Sequence, residues 1–76
     1  MNKKYASWYY YMRKEGEATS PSTKVLYSRL KELHRDKITA MSHDQLETEE
    51  YFALTKYIDK QIKINEEKLA ILMNLE

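Results

Sequence analysis

Apolar positions recur along the chain with a helical period in three blocks. In the first, Tyr5, Trp8, Tyr9 and Met12 fall at i, i+3, i+4 and i+7, which is one face of an α-helix. The only glycine, Gly16, follows where a C-terminal stop is expected, so the spacing predicts a helix over about residues 3–15 with those four side chains as its core face. Tyr10 and Tyr11 fall off that face, beside Lys3, Lys4, Arg13 and Lys14. Consecutive large aromatics cannot all enter one helical groove, so at least one of the two is expected to be exposed or covered by another chain.

The second block follows the turn-forming stretch Glu17-Ala18-Thr19-Ser20-Pro21-Ser22. Ser20 before Pro21 reads as an N-cap with proline at the first helical position, where its missing N–H costs nothing. Leu26, Leu30 and Leu33 then repeat at i, i+4 and i+7, and Arg35 and Lys37 suit the negative end of a helix dipole. A helix is predicted over about residues 21–36.

The third block opens on Ser42 and Gln45, a capping box, with Met41 and Leu46 placed as a hydrophobic staple. No Gly or Pro follows, so the helix is predicted over about residues 43–73, roughly 46 Å at 1.5 Å per residue. It carries two apolar stripes. One is Tyr51, Leu54, Ile58, Ile62, Leu69 and Leu72, interrupted by Asn65; the other is Leu46, Ala53, Tyr57, Ile64, Ile71 and Leu75. Two stripes require two neighbours. Either the first two helices stack along different portions of the third, or a second copy covers part of it. Asn65 reads either as a register-setting polar residue in a coiled-coil seam or as a solvent-facing residue at its rim.

The pattern therefore predicts an all-α fold: two short helices and one long C-terminal helix, a helical hairpin or three-helix unit in one domain. It is expected to dimerise through the long helix with Tyr51, Leu54, Ile58, Ile62, Asn65, Leu69 and Leu72 as seam. Length supports the need for a partner, because 76 residues bury only about three-fifths of the unfolded surface and leave a thin core.

Composition removes several chemistries. Without cysteine there are no disulfides, thiolate metal sites or cysteine nucleophiles, and one Gly and one Pro leave no phosphate-cradling glycine loop. No apolar run approaches the roughly 18–20 residues of a spanning helix, and mean hydropathy is −0.81, so no membrane association is expected. The start of the chain lacks the apolar core of a signal peptide, and a cytoplasmic location is expected. His34 and His43 stand nine residues apart without a metal-binding spacing, and the adjacent carboxylates Glu49-Glu50 and Glu66-Glu67 diverge by about 100° on a helix. Neither arrangement suggests a catalytic or metal site, so a non-enzyme without cofactor is expected.

Charge is more informative than its near-zero sum. The net +1 conceals +5 over residues 1–40, with nine Lys or Arg against four Asp or Glu, and −4 over residues 41–76, with four against eight. The two halves either neutralise each other in the fold or across a dimer, or the basic half faces an anionic partner. Five of the nine aromatic residues of the chain sit in the first helix, interleaved with cations. Such a surface suits a protein hot spot, with Trp8, Tyr10, Tyr11, Arg13 and Lys14 as the expected contacts. It also suits stacking on unpaired bases, with Lys3, Lys4, Lys24, Arg29, Lys31 and Arg35 on phosphates. The first expectation is a small regulatory or adaptor protein, of the size and composition frequent among bacterial and phage accessory factors, that binds another protein and self-associates as a homodimer. The alternative is a nucleic-acid-binding protein.

Overall fold

A computed structural model describes residues 5–41 and 48–75. It is an all-α three-helix unit of α1 (Ala6–Glu17), α2 (Pro21–Met41) and α3 (Thr48–Leu75). The capping box of Ser42 and Gln45, with His43 and Leu46, lies outside the described residues, as do Lys3 and Lys4.

α1 runs to Glu17, past the predicted end at residue 15. Gly16 is an ordinary helical residue whose φ is not positive, so it does not terminate the helix. The chain turns extended at Ala18 instead, whose N–H still donates to the Lys14 carbonyl at 3.0 Å. The Ser20 carbonyl accepts the Lys24 N–H at 2.9 Å, which makes Ser20 the capping residue before Pro21. Proline disfavours helical geometry in the residue before it, so the stop comes from the start of α2.

α2 continues to Met41, five residues beyond the predicted end. No Gly or Pro interrupts residues 36–41, and within the extension Ala40 is buried and Lys37 Nζ donates to Asp59 of α3 at 2.7 Å. At the other end of the pair the Tyr27 hydroxyl reaches Met73 Sδ at 3.9 Å. These two contacts fix α2 and α3 as an antiparallel hairpin.

Its core is Leu26, Tyr27 and Leu30 from α2 against Ile58, Ile62 and Leu69 from α3, with Leu33 and Leu72 partly buried alongside. Leu30, at 0% exposure, is the one large side chain enclosed completely among the described residues. The residues expected to form a dimer seam are therefore placed otherwise. Ile58, Ile62, Asn65 and Leu69 are buried against α2 of the same chain, Tyr51 and Leu72 are partly buried, and Leu54 is exposed. Asn65 belongs to this intramolecular layer, and its Nδ2 donates to the Gln61 carbonyl at 2.7 Å, so its polarity is satisfied within its own helix.

α1 packs on α2 and makes no close backbone approach to α3. The result is a slab measuring 43 × 26 × 16 Å, its long edge matching the roughly 42 Å of a 28-residue helix. α2 is the middle element, with α1 on one side of it.

Candidate partner-binding surface

The face that holds α1 in place differs from the one its spacing predicts. Tyr11 turns inward, stacking on His34 at 5.2 Å with planes 21° apart and lying 6.2 Å from Tyr27. Ala18, two turns further on, packs against the same core. Glu15, on the same side, meets Lys31 of α2 at 2.7 Å, with both side chains only about a fifth exposed. The packing residues are Trp8, Tyr11, Glu15 and Ala18, at i, i+3, i+7 and i+10.

The expected core face is turned out as a consequence. Tyr5, Tyr9 and Met12 are exposed, and only Trp8 of that set is partly buried. The reason is competition between two possible apolar faces on one helix. An aromatic ring on the Tyr11 side meets Tyr27 and His34 and packs against the core of the hairpin.

What remains outward is a continuous aromatic surface. Ala6, Tyr9, Tyr10, Met12 and Arg13 line a shallow, mainly apolar depression of about 410 Å3. Tyr9 is 41% and Tyr10 46% exposed. Arg13 and Lys14 both lie over the Tyr10 ring, at 6.0 and 5.7 Å from its centroid. Trp8 braces the inner edge, 4.8 Å from Tyr9 and 6.4 Å from Tyr5. Of the five residues expected to bind a partner, Tyr10 and Arg13 belong to the exposed surface, Trp8 and Lys14 sit at its margin, and Tyr11 anchors the helix from beneath. Tyr9 and Met12 complete the surface. Their role could have been read from Tyr11, Glu15 and Ala18, which compete with them for the inward face.

The cations do not gather into one surface. Arg13 and Lys14 approach Glu17 at 3.9 and 4.0 Å, and Lys31 is held by Glu15. Arg29 and Lys31 diverge by about 200° around α2, so Arg29 faces away from α1 while Lys31 faces towards it. Lys24 and Arg35 are exposed on the Lys31 side. The basic half meets the acidic half through the Lys37–Asp59 pair.

Three enclosed polar atoms have no hydrogen-bond partner among the described residues: Trp8 Nε1, Thr23 Oγ1 near the α1–α2 turn, and His34 Nε2. Burial lowers the His34 pKa from the usual histidine value, Glu66 and Asp59 oppose that shift, and Lys37 adds to it. Burial likewise raises the Tyr11 hydroxyl, with Glu66 next in effect. Both residues are thus held neutral at physiological pH by the packing that joins α1 to the hairpin. Among the described residues no group of three His, Cys, Asp or Glu side chains converges, and no helix is long and apolar enough to cross a membrane. The chain matches no protein-family model, and comparison with curated proteins and with solved structures finds no significant match.

Proposed function

We propose that the protein is a non-catalytic regulatory or adaptor protein that binds another protein through the outer face of α1. The observation that supports this reading most is the division of labour among adjacent tyrosines. Tyr11 fastens α1 to the hairpin, and Tyr9, Tyr10 and Met12 are thereby presented to solvent on a rigid helix. Exposed Tyr beside Arg on an ordered element is the composition of an interface hot spot, since large rings contribute contact area with little rotamer entropy to lose. Arg13 and Lys14 at the edge favour a partner segment that carries apolar side chains flanked by carboxylates.

The nucleic-acid alternative is weaker because Lys31, one of its candidate cations, already contacts Glu15, and Arg29 faces the side of α2 opposite Lys24, Lys31 and Arg35. A solvated phosphate track needs them on one surface.

The test compares the full chain with a Tyr9→Ser/Tyr10→Ser variant whose helicity by circular dichroism is unchanged. A protein captured by the first and competed away by untagged chain is purified and titrated against both. The reading expects direct binding that weakens at least about tenfold in the variant, the loss of roughly 1.4 kcal/mol. Equal affinity for both overturns it, as does binding only to single-stranded oligonucleotide with a steep dependence on salt.

A further inference from the structure

We propose that two copies of the chain associate about a two-fold axis through the face of the α2–α3 hairpin opposite α1, with the two α3 helices antiparallel and crossing near Ile64.

That face is open, mainly apolar at one end and mixed at the other, where Leu33 and Tyr57 stand among polar side chains. Val25, Leu26, Arg29, Ile71 and Leu72 line a depression of about 510 Å3 at one end. A second, of about 340 Å3, continues the cleft past Leu33, Tyr57 and Asn65 and shares Arg29 with the first. No α1 residue lines either, so the surface is separate from the α1 face and the proposal does not rest on that reading. Tyr57 and Ile71 are each 61% exposed although they continue the second apolar stripe of α3. The first stripe is already used inside the chain.

The sequence along this face says what covers it. Tyr57, Ile64 and Ile71 are spaced by seven residues, so they hold one line on the helix with a drift of only about 20° per step. Such a line is symmetric about its middle member. In an antiparallel pair centred on Ile64, Tyr57 of each copy meets Ile71 of the other, and Ile64 meets its equivalent. Two-fold contacts require this reciprocity.

Two charge pairs obey the same symmetry, whereas Glu32 and Lys68, which also line the cleft, take no part in it. Lys60 and Glu67, both exposed, also stand seven residues apart and straddle Ile64 on one flank of the stripe. Antiparallel pairing brings Lys60 of each copy beside Glu67 of the other, whereas parallel pairing would set Lys against Lys and Glu against Glu. α2 repeats the device with exposed Arg29 and Asp36, again seven apart. The Lys37–Asp59 and Tyr27–Met73 contacts put the middle of that pair level with Ile64, so both helices are self-complementary about one axis. A partner of unrelated sequence would have no need of that match.

Sedimentation equilibrium of the full chain tests this. Lys60→Glu and Glu67→Lys each convert both symmetric pairs from attraction to repulsion, and neither touches the core. Each single variant is expected to weaken the dimer on the order of tenfold, and the double variant Lys60→Glu/Glu67→Lys is expected to restore it. A wild-type chain that remains monomeric at several hundred micromolar overturns the proposal. So does a dimer indifferent to both single changes, or a double variant as weak as the singles.

Discussion

Tyr10 and Tyr11 are neighbours of identical chemistry in contact with each other, at 5.0 Å between ring centroids, yet the structure gives them opposite roles. Replacing each in turn by alanine separates the packing of α1 from its outer surface. A tyrosine carries roughly 150–250 Å2 of buriable surface, and at about 25 cal/mol/Å2 a ring half withdrawn from water contributes about 2–3 kcal/mol. Tyr11 adds the His34 stack and the Tyr27 contact, so Tyr11→Ala is expected to cost about 2–4 kcal/mol. For a domain of this size the whole stability is roughly 4–11 kcal/mol, so the loss is a large share of it. Tyr10→Ala removes a ring that is 46% exposed, the edge contact with Tyr11 that Tyr11→Ala also removes, and the surface contacts with Arg13 and Lys14, together about 1–2 kcal/mol. Thermal melts followed by circular dichroism at one fixed protein concentration read the difference. Tyr11→Ala should lower Tm by more than about 10 °C and Tyr10→Ala by no more than about half of that. A Tyr10→Ala variant that melts as low as Tyr11→Ala would refute this account of how α1 is held.

Two further outcomes follow from single residues. Gly16 is helical, has a φ that is not positive and would meet nothing within 4 Å if given a Cβ, so Gly16→Ala should stabilise the protein by about 0.5–1 kcal/mol; a destabilisation in urea titration would show that the glycine is needed where it stands. His34 has its pKa lowered by burial between Tyr11 of α1 and the charged groups Lys37, Asp59 and Glu66. The unfolded chain therefore takes up the proton first, and stability present above about pH 6.5 is lost as pH falls through the lower folded pKa. Melts between pH 7.5 and 5 should show this decline, and His34→Phe, which keeps a ring against Tyr11, should flatten it; an identical slope in the variant would remove His34 from the explanation.

The helical class, the number of helices and the start of α2 were legible because each rests on local chemistry: 3.6-residue periodicity, and Ser20-Pro21 before an apolar run. The length of α2 was not. Residues 36–41 lie beyond the leucine repeat, and there Ala40 is buried and Lys37 pairs with Asp59 of α3. The orientation of α1 was misread for a related reason. The helix has two aromatic faces, and the choice between them is made by Tyr27, His34 and Lys31, which come from another element. The two stripes of α3 were visible, but which one α2 would use depends on antiparallel register, set by pairs such as Lys37–Asp59 more than 20 residues apart. Of the expected seam, Ile58, Ile62, Asn65 and Leu69 are spent inside the chain against α2, while Leu54 stays exposed.

One thin core, centred on α2, buries Tyr27 and partly buries Tyr11, and leaves Tyr9 and Tyr10 exposed. Hydroxyl-radical footprinting with residue-level mass spectrometry measures this directly on the unmodified protein. The predicted result is fast oxidation of Tyr9 and Tyr10 at every protein concentration, with Tyr11 and Tyr27 protected throughout. Oxidation of Tyr11 as fast as Tyr10, or protection of Tyr9 and Tyr10 in the dilute chain, would contradict it.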